Sequence, residues 1–320
     1  MATATAGFQA YRVGLLDPRR TRPASCGLDP ESTFGVEVTA PELTQLCGLG
    51  NLDPQHTGGD ASMAAIEAAV THPLPPRGSL LVTVRPDVDA FGAMAVLDIR
   101  ACEGLPQEAA ARIEQVALAD RFAAGPWPSR RDETTAAGDV DAVTPVEVLA
   151  SVTFDAGVPV EQRAAAVRRW LATGQLPEDA QERAVRIAGE RAEAERQTEL
   201  RELAADGTIA VVRGTHRFGL SIGYRYAPVV VAENPTFRLQ GGRPHRKLTV
   251  AQYDDSWVDL GAVVEELSVV EPGWGGSPTI CGSPQGDPCV LATGEVVALV
   301  ERHLRSRVAG GAENDVGDDG

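Results

Sequence analysis

Residues Ser79–Arg100 read SLLVTVRPDVDAFGAMAVLDIR. The opening run, Ser79–Val84, is apolar and β-branched and predicts a buried strand. Arg85–Pro86 ends it, because proline has no N–H to give a ladder. Asp87 and Asp89 follow at once, and Val88–Arg100 carries the apolar spacing of a helix. A strand running directly into a helix is the local signature of an α/β sheet, in which ligands bind at the carboxyl ends of the strands. In an extended turn, residues at i and i+2 point to one side, so both carboxylates would face one divalent cation. The same two acids equally suit an N-cap and a first helical turn, where the helix dipole favours negative charge. Gly92 and Ala93 keep that turn slim, so a ligand or another backbone can approach.

Working outward, Tyr11–Leu16 and Thr33–Val38 also predict strands, and Asp60–Thr71 and Gln107–Phe122 predict helices. Asp60 is placed as an N-cap, and Pro73, Pro75 and Pro76 stop that helix. Strands alternating with helices imply an α/β domain with a largely parallel sheet over residues 1–176, closed by helices at Pro145–Phe154 and Val160–Ala172. Ala123–Val143, rich in Pro, Gly, Asp and Arg, predicts a loop. Pro177–Asp206 carries nine acidic and five basic residues at helical spacing and predicts one long charged connector helix over 177–206. Residues 207–307 form a smaller α/β domain, with strands at Thr208–Val212, Ala227–Ala232 and Leu248–Tyr253 and helices at Leu260–Val270 and Gly294–Arg305. The acidic stretch 308–320 is expected to be a disordered tail.

Composition narrows the function classes. The 320 residues are 43% apolar but only 5% aromatic, so the core must rely on Ala, Val and Leu. Their 29 basic and 45 acidic residues leave a net charge of −16, which speaks against an extended nucleic-acid partner. A small phosphorylated substrate in a local basic pocket remains compatible with that charge. Five scattered cysteines without a CxxC pair speak against a zinc knuckle or disulfide framework. With no secretory pattern at the N-terminus and no long apolar run, a soluble cytoplasmic protein with no membrane partner is expected. GxSxG, Walker A and GxGxxG patterns are absent from the sequence.

Three further segments carry candidate chemistry. Gly50–Asp60, GNLDPQHTGGD, places Asp53 and His56 between glycines, and both are divalent-metal ligand types. An Asx-turn with a surface histidine fits the same residues. Gly241–Lys247 is the densest basic cluster, where Arg243, His245, Arg246 and Lys247 could clamp a phosphate or stand solvated at a hairpin tip. Lys247 is the single lysine of the chain. Gly275–Gly276–Ser277 is a glycine-rich turn able to offer backbone amides to an anion. Asp139 and Asp141 read as an acidic turn, and His72, His216 and His303 as structural or exposed.

Arg85–Pro86–Asp87–Val88–Asp89–Ala90–Phe91–Gly92–Ala93 resembles the strand-borne (N/R)PDxDA-G-A motif of the DHH family of phosphoesterases. Asn51–Leu52–Asp53–Pro54–Gln55–His56–Thr57 is similar to that family's name-giving motif. The resemblance implies that Asp53, Asp87 and Asp89 hold Mn²⁺ or Mg²⁺, with His56 as a further ligand or a contact to the scissile phosphate. It also implies that Gly275, Gly276 and Ser277 belong to a substrate-closing loop of a DHH-associated C-terminal domain. The sequence departs from the family pattern in four ways. Thr83 stands at the usual first histidine, Pro54 or Gln55 at the first of the paired histidines, Ser277 at the glycine-loop histidine, and the two motifs come in reversed order. The expected activity is a metal-dependent phosphohydrolase acting on a small phosphorylated substrate such as a nucleotide, with Arg85, His56 and the basic cluster neutralising phosphate. A non-catalytic nucleotide- or partner-binding regulator and a metal-assisted transferase remain open alternatives.

Overall fold

The computed structural model describes residues 7–18, 21, 26–54, 63–121, 143–238, 242–253, 255–284 and 286–305. The expected N-cap Asp60, the 123–142 loop, Asp139, Asp141, His56, Gly241 and the acidic tail lie outside them. Two compact units are present, and their boundary falls between Glu190 and Arg191.

In the first unit, β1 (Arg12–Leu15), β2 (Thr33–Val36), β3 (Asn51–Leu52) and β4 (Leu80–Thr83) form a sheet in the order β1-β4-β2-β3. Every pairing in it is parallel, as the alternating pattern predicts. After β2 come the short helices α1 (Pro41–Thr44) and α2 (Ala65–Ala69); after β4 come α3 (Val88–Cys102) and α4 (Ala109–Arg121). Helices α5 (Pro145–Thr153) and α6 (Val160–Thr173) complete the unit. Helix α3 is apolar all round because it is central: every residue from Val88 to Ile99 is buried, and α2 and α6 pack against it. Gly92 serves that packing, since a Cβ there would lie 2.6 Å from Ile66 Cδ1 on α2. Asp98, on the same helix and fully buried, accepts N–H bonds from Gln9, Ala10 and Tyr11 and pairs with Arg168 of α6 at 2.6 Å.

Helix α2 is shorter than the expected Asp60–Thr71. Its first free amides, Ala65 and Ile66, donate to Asp89, so the described cap comes from α3. Strand β2 likewise ends at Val36, short of Val38, because Glu37 turns into the left-handed region at φ +52°.

The long connector helix is corrected. Helix α7 covers Ala180–Gln197, and β5 (Glu199–Leu203) follows it. Gly207, at φ +72°, turns the chain, and β5 pairs antiparallel with β6 (Ile209–Arg213) at the sheet edge. Helix α8 (Gly219–Gly223) then leads to β7 (Val229–Phe237), which is parallel to β6 and antiparallel to β8 (His245–Gln252). The sheet ends with β10 (Ile280–Gly282) and β9 (Gly275–Ser277), in the order β5-β6-β7-β8-β10-β9. Helices α9 (Leu260–Val270) and α10 (Thr293–Arg302) cover one face around Leu248, Val250, Val263 and Val300.

Candidate functional site

Strands β4, β2 and β3 are neighbours and parallel, so their carboxyl ends share one edge of the sheet. The residues that follow them are acidic: Asp87 and Asp89 after β4, Glu37 after β2, and Asp53 after β3. Asp53 and Asp89 are only 3% and 2% exposed.

Asp87 caps α3, accepting from Ala90 N–H at 2.9 Å, and its other oxygen meets Arg85 Nε at 3.1 Å. Burial pushes its carboxyl above the usual range, while the Ala90 N–H and the Arg85 charge pull it back. Asp89 accepts from Ala65 N–H at 2.8 Å and Ile66 N–H at 2.9 Å. Burial and the charge of Asp120 on α4 still push it up to about 7. Asp87 is the N-cap and Asp89 a first-turn acid of α3, as the sequence allowed, and Asp89 in addition caps α2, which the sequence did not indicate.

Glu37 is the acid of this edge whose carboxyl is shifted furthest. Burial, then the charges of Asp89, Asp87, Asp120 and Asp53, push its carboxyl up to about 9. It is also the only described non-glycine residue with positive φ. Its neighbours hold that conformation in place. Asn51 accepts from Val38 N–H and donates to Val38 C=O, both at 3.2 Å, and Glu37 N–H donates to Leu52 C=O at 2.9 Å. Strain held this firmly beside convergent charge is characteristic of functional sites. The signal for Glu37 was present in the sequence as one acid inside the apolar run Val36–Glu37–Val38. For Asp120, on a mixed-polarity helix, no local signal existed.

Carboxylate oxygens repelling one another in a buried edge are the donor chemistry of a hard divalent cation. Among the described residues, no group of three or more His, Cys, Asp or Glu side chains is arranged to hold a metal ion. Arg85 reaches outward, its side chain 73% exposed.

In the second unit the basic cluster lies on β8 and the chain leading into it. Arg246 donates to Cys289 C=O, Leu291 C=O and Thr293 Oγ1 and pairs with Glu233, which ties β7 and β8 to the start of α10. His245 is buried edge-on against Phe237, while Arg243 is exposed. Gly275–Ser277 is a strand rather than a loop. Gly276 is demanded by the hairpin itself, since a Cβ there would lie 2.0 Å from Ile280 C=O. His72 and His216 bond within their own turns, to Pro73 C=O and Phe218 N–H, and His303 at the end of α10 meets Glu266 on α9.

No protein-family model and no curated protein matches the chain. Solved structures do. The pGpG-specific phosphodiesterase PggH of Vibrio cholerae aligns at 13% identity and TM-score 0.40, over 67% of this chain and 73% of its own. Exonuclease RecJ bound to manganese aligns at 15% identity and TM-score 0.31, over 72% of this chain and 66% of its own. RecJ of Thermus thermophilus in complex with Mn²⁺ aligns at 16% identity and TM-score 0.40, over 85% of this chain but only 44% of its own.

Proposed function

We propose that the chain is a metal-dependent phosphoesterase acting on a small phosphorylated substrate such as a nucleotide. The observation that supports this reading is the Arg85–Ala93 motif, whose Asp87 and Asp89 follow β4 at the carboxyl edge of a parallel sheet that also carries Glu37 after β2 and Asp53 after β3. Asp53, Asp87 and Asp89, with His56, would hold Mn²⁺ or Mg²⁺, and to do so the described carboxylates would have to draw together from where they stand. A bound divalent ion supplies an activated water and neutralises charge on the phosphoester. The protein's own residues prepare that site. Glu37, its carboxyl raised to about 9, would have to give up a proton to serve as a ligand. The Asn51 clasp on Val38 holds the backbone next to Glu37, which has φ +52°. Arg85, exposed beside Asp87, offers a guanidinium fork to an incoming phosphate.

Asp87→Asn tests this cleanly, because asparagine is as good an N-cap as aspartate and α3 should keep its start. Phosphate release from a panel of nucleotides and sugar phosphates with Mn²⁺ should fall by roughly ten- to a hundredfold or more. EDTA should abolish the wild-type signal. Turnover indifferent to both changes would overturn the reading.

A non-catalytic regulator that binds a nucleotide or a partner is the second reading. It is favoured by the helix-capping work of Asp87 and Asp89, which uses oxygens a metal would need. Ligand binding without turnover on any phosphoester, with Mn²⁺ present, would select it.

A further inference from the structure

Lys247 is the single lysine among 29 Lys and Arg residues, and the fold sets it apart from its basic neighbours. In the β7–β8 ladder Asn234 pairs with Lys247, and Ala232 pairs with Thr249. Directly paired residues share a sheet face, as do residues two apart on a strand, so Asn234, Lys247 and Thr249 stand together. Arg246 lies on the opposite face, where its bonds to β7 and α10 make it structural.

The Lys247 stem lies over Gly282, where a Cβ would come within 3.2 Å of Nζ and 3.5 Å of Cε. Nζ donates to Ser283 C=O at 3.0 Å and stands 5.3 Å from the centre of the Phe237 ring. Among the described residues no carboxylate pairs with it, although acids outnumber bases by 45 to 29 in this chain. Half-burial accordingly pulls its amine below the usual lysine range. Removing a cation from water without a counter-ion is costly, and an arriving anion recovers that cost. The groups beside it are donors too. Asn234 accepts from Thr236 N–H through its carboxamide oxygen at 3.0 Å, which leaves its NH₂ to give, and Thr249 adds a hydroxyl. An ammonium, an amide NH₂ and a hydroxyl on one face complement an anion with several acceptor oxygens.

We propose that Lys247, Asn234 and Thr249 bind the phosphoryl group of a phosphorylated small molecule on the sheet face opposite Arg246. The choice of phosphoryl over other anions rests on the phosphoesterase reading; the anion site itself needs no metal.

Reductive methylation of the full chain with ¹³C-formaldehyde labels Lys247 and the α-amine, keeps both charges, and gives two resolvable NMR signals. Inorganic phosphate and 5′-AMP are then titrated separately in EDTA at constant ionic strength. The Lys247 signal should move to saturation with either ligand while the α-amine signal stays put. In the Asn234→Ala and Thr249→Val variants the half-saturation point should rise about fivefold, the worth of one lost hydrogen bond. Tighter binding of AMP would assign the site to a nucleotide phosphate, and equal binding to the phosphoryl group alone. A Lys247 signal that ignores both ligands, or that saturates identically in both variants, overturns the proposal. An active enzyme with a silent Lys247 sinks only this site. Activity indifferent to Asp87→Asn, with the Lys247 shift intact, sinks only the phosphoesterase reading.

Discussion

Glu37 combines two costs that folding ordinarily avoids, a side chain in the left-handed region and a carboxyl facing four others. The electrostatic cost depends on pH, and its sign follows from the raised values. Glu37 and Asp89, at about 9 and about 7, are more easily protonated in the folded chain than in the unfolded one. Their contribution to stability is complete below the ordinary carboxylate range and is lost as pH rises through 7 and then 9. In EDTA, the melting temperature should therefore fall between pH 5 and pH 9. Glu37→Gln stays neutral throughout and should gain roughly 1–3 kcal/mol over wild type at pH 9, flattening the upper part of the curve. Parallel curves for the two proteins in thermal melts would show that Glu37 does not bear this load. Asp98 is the contrasting case, a wholly buried carboxylate matched by the amides of Gln9, Ala10 and Tyr11 and by the Arg168 guanidinium. Asp98→Ala strands Arg168 in the core and should cost about 3–5 kcal/mol in urea unfolding at neutral pH.

At the scale of elements, the α2–α3 contact is set by two residues in the first turns of α3. Asp89 caps α2 from α3, and Gly92, one turn further along, lets Ile66 close over it. Gly92→Ala should destabilise by roughly 1–3 kcal/mol, although alanine is the better helix former, because its Cβ meets Ile66 Cδ1. Removing that methyl in the Gly92→Ala/Ile66→Val double variant should restore most of the loss. Additive losses in denaturant unfolding would place the strain elsewhere.

For the whole molecule, the net charge of −16 makes salt a general stabiliser through screening of self-repulsion. A site-bound cation must do more than that. At matched ionic strength and neutral pH, MnCl₂ should raise the melting temperature beyond NaCl, by the equivalent of about 2.7 kcal/mol at a hundred times Kd. The extra gain should disappear in Asp87→Asn/Glu37→Gln. Equal gains from the two salts in wild type would mean that the acidic edge takes no specific cation. No described helix is long and apolar enough to cross a membrane.

Local sequence determined the elements whose partners are close in the chain. Ser79–Arg100 folds as strand, proline turn, Asp87 cap and buried helix because each step is enforced by near neighbours in the chain. Pro145–Thr153 and Leu260–Val270 are legible for the same reason, with Thr144 and Asp259 accepting from the amides they cap. Tertiary structure decided the rest. Glu199–Leu203 has a helix former's composition but becomes a strand because the edge of β6 offers its backbone a partner. The first two amides of α2 are satisfied by Asp89, which lies far along the chain on α3. Arg246 and Lys247 are adjacent in sequence yet opposite in role, since a strand sends consecutive side chains to opposite faces. Asp87 was readable as a site acid from its motif. Glu37 shows in the sequence only as one acid inside an apolar run, because its importance comes from charges that the parallel pairing of β4, β2 and β3 brings to the same edge.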